Sequence, residues 1–401
     1  MKAPQTANIK TEVNAGIQHI DDFKAIPEAL YQAAFTRGNT FWSRAYFQMI
    51  GETCDKDFEQ HWLLYYNSVG RLIAAATFQV FNFSGKNYRF DFNYDGLKSI
   101  IPEFSKLILK YLIRPFSVKI LLQGNAFTTG NISLVCDTEK IKMADWVQKV
   151  EQWQWNTFLK KRLDIDVVLW KDFNKKELAN FAHLQQKDYL KFEVQPTMTL
   201  SIPDSWKSFN DYLGAMQSKY RTRMRKVFKK GKAVKTKRMD SQEIQAQIGK
   251  MEELYNQVVA PSNFKMTTLP VEHLWKLMEG NGDSFKVLGF YAPEGLIGFI
   301  SFYRKNNEMY AGFMGIEREH QFKYDQYLRT LLELIKAGIE LDFSQIYFGR
   351  TALEIKSSAG AVPEQLFLFA KHRKSIFNTF LKPMVKRLSK QAEWTQRHPF
   401  K

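Results

Sequence analysis

Apolar and polar positions alternate in short blocks along the chain, and their spacing predicts strands and helices in mixed order. Apolar runs and period-two alternation predict strands, whereas apolar residues three and four positions apart predict helices. The predicted strands are Trp62–Tyr66, Leu72–Phe83, Ser117–Leu122, Ile165–Trp170, Met198–Ile202, Ala233–Arg238, Phe285–Tyr291, Leu296–Arg304, Met309–Ile316 and Gln345–Phe348. The predicted helices are Asp21–Thr36, Phe104–Ile113, Ala144–Arg162, Lys175–Leu190, Ser208–Lys230, Gln242–Val259 and Tyr324–Ile339. This mixture predicts the α/β (α+β) class.

The pattern restarts in the second half of the chain, which indicates an internal duplication. Three matches recur 224 residues later: Leu30-Tyr31 as Leu254-Tyr255, Leu72-Ile73 as Leu296-Ile297, and Phe78 as Phe302. The stretch from Ser117 to Gly124 also matches Ser344 to Gly349, which makes the two glycines equivalent in this interpretation. The predicted units are a first domain at 15–170, a connecting helix at 171–195, a second domain at 196–370 and a basic tail at 371–401.

Positive charge is concentrated in two segments of this 401-residue chain, whose formal net charge is +17. Residues 219–238 hold eleven Lys and Arg, residues 371–390 hold seven, and neither segment contains an acidic residue. Together they carry +18, so the rest of the chain sums to −1. A partner for these segments must therefore be anionic.

Each basic segment has a functional and a structural interpretation. The cations of the predicted helix Ser208–Lys230 lie off its apolar stripe and suit the phosphates of a nucleotide, a tRNA or a lipid headgroup, although sparse aromatic residues argue against base stacking. Residues 371–390 add an apolar stripe that Pro383 interrupts, which is typical of a helix lying on an anionic membrane surface. The structural interpretations are a solvated helix face for the first segment and a C-terminal helix docked on the body for the second.

Composition excludes several classes of protein. Cys54 and Cys136 are the only cysteines, which fits a reducing compartment and not a disulfide framework. The N-terminal residues carry no apolar signal-peptide core, and no apolar run reaches about 18 residues. The seven histidines show no metal-ligand spacing. We therefore expect a cytoplasmic protein without a metal site, with peripheral attachment to the inner face of the membrane through its basic segments.

The strongest candidate for a functional site is the strand Gln345–Phe348 and the residues that follow it. Gly349 ends this strand, and Arg350, Glu354 and Lys356 come directly after it. Strand ends of α/β folds commonly carry binding and catalytic residues. The matching stretch of the first copy, Asn125 to Thr128, is uncharged, which suggests a scaffold or a wall of the cleft. The simpler interpretation is a glycine turn and a solvated helix start, with Glu354 and Lys356 as a surface ion pair.

Three sequence stretches resemble one enzyme superfamily. The helix YDQYLRTLLELIKAGIE and the strand ending in FGRTALEIKSSAGAVP resemble GNAT acyltransferases, and more closely their duplicated branch, which includes Fem-type peptidoglycan aminoacyltransferases. SKYRTRMRKVFKKG resembles the basic helix of that branch. The resemblance covers most of residues 15–380. It implies tandem GNAT-like domains with mixed β-sheets flanked by helices.

The resemblance implies N-acyl transfer, in which an amine attacks the acyl carbon of an acyl-CoA or acyl-carrier-protein thioester. The expected acceptor is an amino lipid or another amphiphile at the membrane surface, and the acyl carrier protein is itself a possible partner. An alternative is a Fem-type transfer from aminoacyl-tRNA to a cell-wall precursor. A third is a degenerate GNAT fold that binds anionic membranes or nucleic acid. A tRNA partner is less expected than a membrane, and DNA is not expected.

Residue roles also follow from the resemblance. The implied catalytic residues are Glu354 as base or amine anchor, with Tyr347 or Tyr324 as donor to the leaving group. The implied substrate-binding residues are Arg350, Lys356, Tyr220, Arg221 and Arg225. The implied ligands of the donor phosphates are Arg318, Lys323 and Gln326, in a loop that lacks the glycines of the family pattern Q/R-x-x-G-x-G/A.

The thioester is expected to enter between the strands Met309–Ile316 and Gln345–Phe348. We expect Arg350, Glu354 and Lys356 to line a cleft there with Tyr324. We also expect Arg350 to face solvent, so that its removal abolishes transfer with little effect on stability.

Overall fold

The structure is a computed structural model that describes residues 16–53, 57–84, 117–260, 270–379 and 394–401. The predicted helix Phe104–Ile113, Cys54 and residues 380–393 of the basic tail lie outside these ranges. Among the described residues, no helix is long and apolar enough to cross a bilayer.

The described chain forms 13 strands and a set of mostly short helices. The strands are β1 Gly16–Ile20, β2 Phe58–Tyr66, β3 Leu72–Ser84, β4 Ser117–Gln123, β5 Leu134–Cys136, β6 Val167–Asn174, β7 Leu190–Ser201, β8 Lys235–Met239, β9 Phe285–Ala292, β10 Gly295–Lys305, β11 Glu308–Ile316, β12 Gln345–Tyr347 and β13 Val362–His372. The helices are α1 Glu28–Gln32, α2 Arg44–Thr53, α3 Met143–Trp153, α4 Leu159–Lys161, α5 Ala182–Gln186, α6 Phe209–Ala215, α7 Ser218–Lys230, α8 Ser241–Ala246, α9 Ile248–Val259, α10 Leu274–Asn281, α11 Arg318–Tyr324, α12 Gln326–Glu340 and α13 Leu353–Ser358.

Several predicted helices are wrong in extent. Asp21–Thr36 contains α1 between two 3-10 turns, and Gln242–Val259 is divided into α8 and α9. The predicted helix Ser208–Lys230 is divided into α6 and α7, because Met216 is extended and forms an isolated bridge with Phe400 of the C-terminal segment. The predicted connecting helix contains a 3-10 turn at Leu178–Phe181 and the short α5, between the end of β6 and the start of β7. Sequence periodicity could not reveal the interruption at Met216, since it depends on Phe400, which lies far along the chain.

The strands form one sheet in the order β1-β2-β3-β4-β6-β13-β7-β12-β11-β10-β9-β8. β5 lies off this order and pairs with Ala74–Ala76 of β3, whereas β4 pairs with Gln79–Ser84 of β3. β4 with β6 and β11 with β12 are the parallel pairs, and the other recorded pairs are antiparallel. The order from β8 to β12 therefore mirrors the order from β1 to β6. The two halves exchange a strand, because β7 pairs with β12 and β13 pairs with β6.

The duplication is present, but the predicted equivalence of Gly124 and Gly349 is wrong. β4 stands beside β3 as β11 stands beside β10, so Gly124 follows the counterpart of β11. Gly349 follows β12, which is the counterpart of β6. A short apolar run with a terminal glycine identifies a strand, yet it carries no information about which strands lie beside it.

The 224-residue spacing holds where the structure can test it. In the first half, a register shift leaves Ile73 without a partner in β2, between Leu72 paired with Tyr66 and Ala74 paired with Tyr65. The second half repeats this shift at Ile297, which lies 224 residues later. A β-bulge conserved between both copies supports a true repeat.

The tail predicted from residue 371 begins inside the fold, because β13 extends to His372. The Lys371 Nζ donates to the carbonyl of Lys187 at 2.7 Å, and Arg373 donates to the carbonyls of Arg162 and Leu159. At the far end, Gln217 N donates to the carbonyl of Pro399 at 2.8 Å. The described ends of the tail are thus docked on the body.

We expect His19 to make the first half sensitive to acid. It lies 3.1 Å from His61, and burial, followed by the neighbouring His61, lowers the pKa of His19 to about 4. Between about pH 4 and 6.5 the unfolded state therefore binds more protons than the folded state, so the free energy of unfolding falls as the pH falls through this window. We expect a loss of about 2 kcal/mol, discounted for the partial exposure of the ring.

Urea unfolding across this pH window, compared with His19→Phe, measures this effect. The variant should lose less stability on acidification than the wild type. Identical pH slopes for the two proteins would show that His19 does not carry the effect.

Candidate active site

A cavity opens in the second half where two parallel strands separate. β11 and β12 pair only from Glu308–Tyr310 to Gln345–Tyr347, and a register shift against β10 then displaces β11. The cavity has a volume of about 270 Å³. It lies at the gap between β11 and β12, where the resemblance implies that a thioester enters.

The walls of this cavity are mainly apolar and aromatic. The lining residues from the second half include Tyr255, Val258, Ala311, Met314, Tyr327, Leu331, Thr351 and Lys356. Ala126 and Phe127 complete it from the first half. An apolar cavity with a few polar groups is the usual form of a site for a small organic ligand.

The corresponding place in the first half is filled by side chains. Gln79 pairs with Leu122, and Tyr303, 224 residues later, pairs with Tyr310. Gln123 is therefore the counterpart of Ala311. Its fully buried side chain accepts a hydrogen bond from Gln154 at 2.8 Å. The two halves thus differ in the residues that close or open the gap.

Lys356 lines the cavity but is committed to the backbone. Its side chain is buried, and Nζ donates to the carbonyls of Phe348, Gly349 and Arg350 at 2.8, 3.1 and 2.8 Å. Burial lowers the pKa of Lys356 to about 7. Because an ammonium group has three N–H bonds, binding a substrate would require Lys356 to give up one of these carbonyls.

The loop that Lys356 holds is strained. Gly349, Thr351 and Ala352 have positive φ angles of 73°, 37° and 50°. Left-handed backbone at non-glycine residues is costly and persists where the surroundings fix it. The three Lys356 hydrogen bonds therefore position Thr351 at the cavity wall.

Arg350 is expected to face solvent, but the structure buries most of its side chain. Its guanidinium forms an ion pair with the fully buried Asp172 of β6, and its side chain is 26% exposed. The other carboxylate oxygen of Asp172 lies 2.6 Å from Lys171 Nζ. Arg350 thus ties the strand end of the second half to the first half. We therefore expect its removal to lower stability, contrary to the expectation from the sequence.

Glu354 and Lys356 do not form the surface ion pair considered above. Glu354 lies on the outer face of α13, where it pairs with Arg397 of the C-terminal segment, and its side chain is 51% exposed. It is not among the described residues that line the cavity. The structure therefore does not bring the suggested base to the gap between the strands.

The two tyrosines also lie outside the cavity lining. Tyr347 stacks on Tyr310 with ring centroids 4.4 Å apart, and its hydroxyl donates to Glu308 at 3.2 Å. Burial, followed by the charge of Glu308, raises the pKa of Tyr347. Tyr324 is buried and stacks on His320 at 5.5 Å. Their suggested catalytic roles stay predictions.

Helix α11 occupies the place of the expected phosphate loop. Arg318 N donates to the side chain of Gln257 and Tyr327 N donates to that of Gln321, both at 3.0 Å. Lys323 lies on the surface 3.4 Å from Glu294, whereas Gln326 is fully buried. At each of these helix starts, one amide that could bind a phosphate therefore already has a side-chain partner.

The basic helix α7 packs against α11 and α12 and does not contribute to the described cavity lining. Tyr220 is half-buried, and Arg221 donates to the carbonyl of Met216 at 3.3 Å. Six exposed cations on α7 and the following turn form no ion pair with any described residue: Lys219, Arg223, Arg225, Lys226, Lys229 and Lys232. This surface, called the basic face below, meets the start of α12.

Two mirrored α/β units in one sheet, with a cavity between parallel strands, define a tandem GNAT-like fold of the Fem type. Similar solved structures include L-PGS from Bacillus licheniformis (12% identity, 93% of this chain and 98% of that chain, TM-score 0.52). FemX matches at 9% identity over 92% and 99% of the two chains, with a TM-score of 0.51. The C-terminal domain of a proposed lysylphosphatidylglycerol synthetase from Agrobacterium fabrum matches at 9% identity over 89% and 95%, with a TM-score of 0.50.

Identities this low show a shared fold and nothing finer. The sequence matches no protein-family model and no curated protein.

Proposed function

We propose that this chain is an N-acyltransferase in which an amine attacks an activated acyl carbon inside the cavity between β11 and β12. The observation that carries the proposal is the cavity itself. It lies in the second half, at the gap between the parallel strands β11 and β12. The nitrogen forms the new C–N bond, the C–S bond of the thioester breaks, and the departing thiolate takes up the proton that the nitrogen loses.

The acyl donor is proposed to be a thioester on an acyl carrier protein. A side chain already occupies one amide at each of the two helix starts that would hold the pyrophosphate of free coenzyme A. The basic face suits an acidic carrier, because complementary charge steers and orients association. The acceptor is proposed to be an amphiphilic amine, since the cavity walls are mainly apolar.

We expect acyl-carrier-protein thioesters to support amide formation at least about tenfold faster than the same acyl group on coenzyme A. The difference follows if a protein carrier provides contacts that free coenzyme A lacks. Turnover with both donors, read by mass spectrometry of the amide product, measures it. Equal rates would contradict the proposal that the donor is an acyl carrier protein. If neither donor gives an amide, the proposal that the donor is a thioester is wrong.

A second candidate is aminoacyl transfer from aminoacyl-tRNA. It is supported by the likeness of the fold to FemX and to a proposed lysylphosphatidylglycerol synthetase. The basic face is also suited to a phosphate backbone. Transfer of a labelled aminoacyl group that ribonuclease treatment abolishes would favour this candidate over the first.

Attachment to an anionic membrane is a separate proposal. The basic face and the exposed Ile376 and Phe377 support it. Sedimentation with anionic vesicles, weakened by salt and absent with neutral vesicles, is the expected result.

A further inference from the structure

The first half contributes a wall to the cavity of the second half through an excursion of the chain. β4 and β5 both pair with β3, at Gln79–Ser84 and at Ala74–Ala76, and residues 124–133 leave the sheet between them. The second half has only a register shift in β11 at the equivalent place. We call residues 124–133 the wall loop.

Buried polar groups hold the base of the wall loop. The side chain of Gln79, which is 1% exposed, accepts a hydrogen bond from Ala126 N at 2.8 Å. The buried Asn125 accepts from Phe127 N at 2.8 Å and donates to the hydroxyl of Tyr46 at 2.9 Å. Buried, satisfied polar networks fix one arrangement of the chain that carries them.

A buried lysine holds the wall loop from the other side. Lys171 Nζ donates to the carbonyls of Asn125 and Thr128 at 2.7 and 3.0 Å. Lys356 holds the loop after β12 in the same manner. Both loops that border the cavity are therefore fixed by a buried lysine whose Nζ donates to backbone carbonyls, one lysine from each half.

The wall loop delivers an aromatic surface to the cavity. Phe127 lines it and is backed by Phe58, with ring centroids 5.2 Å apart. Tyr327, at the start of α12, also lines the cavity. α12 packs against α11 and α7, which carries the basic face where the donor carrier is proposed to dock. Phe127 comes from the other half of the chain, so we assign its side to the acceptor.

We propose that Phe127 determines which acceptor amines enter, by limiting the length of the apolar group attached to the nitrogen. This inference rests on the proposed function and names the substrate class of the same cavity. Phe127 is a specificity residue because it bounds the space without contributing a reacting group. The first half then acts as the selective wall of a site whose remaining lining lies in the second half.

The test compares a homologous series of straight-chain alkylamines with the wild-type chain, Phe127→Ala and Phe127→Trp. Binding is measured by calorimetry without an acyl donor, and turnover with the active donor. We expect Phe127→Ala to shift the preference toward longer amines by about tenfold or more in relative kcat/KM, and Phe127→Trp to shift it toward shorter ones. Phe23→Ala is the matched control, since Phe23 is also partly buried against the same core but does not line the cavity.

The outcomes separate the inference from the function on which it rests. If the wild-type chain binds and acylates amines but both Phe127 variants keep its length profile, the inference is overturned and the function stands. A shift in acyl-length preference instead of amine-length preference overturns the assignment to the acceptor. If the wild-type chain neither binds nor acylates any amine, the proposed function fails first. A shift in the Phe23→Ala control would show that general loosening, and not the wall, sets the profile.

Discussion

Arg350→Met is expected to lower the free energy of unfolding by about 3 kcal/mol, because it removes one of two cationic partners from a fully buried carboxylate. Asp172 keeps Lys171, so the loss falls at the lower end of the range for broken buried pairs. The pair also joins the halves at the centre of the sheet, where β6 and β12 flank the exchanged strands. Urea denaturation followed by tryptophan fluorescence measures the change.

Arg44→Met is the matched control for this prediction. Arg44 pairs with Glu28 on the surface, where the side chains are 63% and 59% exposed, so its loss should cost less than about 1 kcal/mol. If Arg350→Met unfolds at the wild-type urea concentration, the ion pair contributes nothing to stability. Arg350 would then behave as a solvent-facing charge, whose removal has little effect on stability.

Local periodicity was sufficient to predict most strands and the duplication. The hairpin β9–β10, the strand β11 and the 224-residue spacing of Ile73 and Ile297 are all visible as apolar patterns. The neighbours of each strand are set by long-range pairing, which periodicity does not encode. For this reason the sequence pattern equates Gly124 with Gly349, although β4 takes the place of β11.

The partners of the candidate site residues lie far away in the sequence. Arg350 pairs with Asp172, and Glu354 pairs with Arg397 beyond the second domain. No local spacing could indicate either pair, because each depends on how two distant segments fold together. The uncharged stretch Asn125 to Thr128 is interpreted from the sequence as a scaffold or a wall of the cleft, and Phe127 of this stretch lines the cavity.

Ala311→Phe is expected to reduce acyl transfer by about 100-fold or more while leaving the chain folded. Ala311 lies on β11 at the cavity wall, and its counterpart Gln123 closes the equivalent place in the first half with a larger side chain. A phenyl group there fills the space that the reacting groups need. Since it enters a cavity and displaces few atoms, the free energy of unfolding should change by less than about 1.5 kcal/mol.

Steady-state amide formation and urea unfolding, measured on the same preparations, check both parts of this prediction. Ala246→Phe is the control, because Ala246 is exposed on α8 and does not line the cavity. Its activity should match that of the wild type. Full activity of Ala311→Phe would place the chemistry outside the cavity between β11 and β12. Loss of both activity and stability would instead show that Ala311 is a packing residue, because a blocked site alone does not unfold the chain.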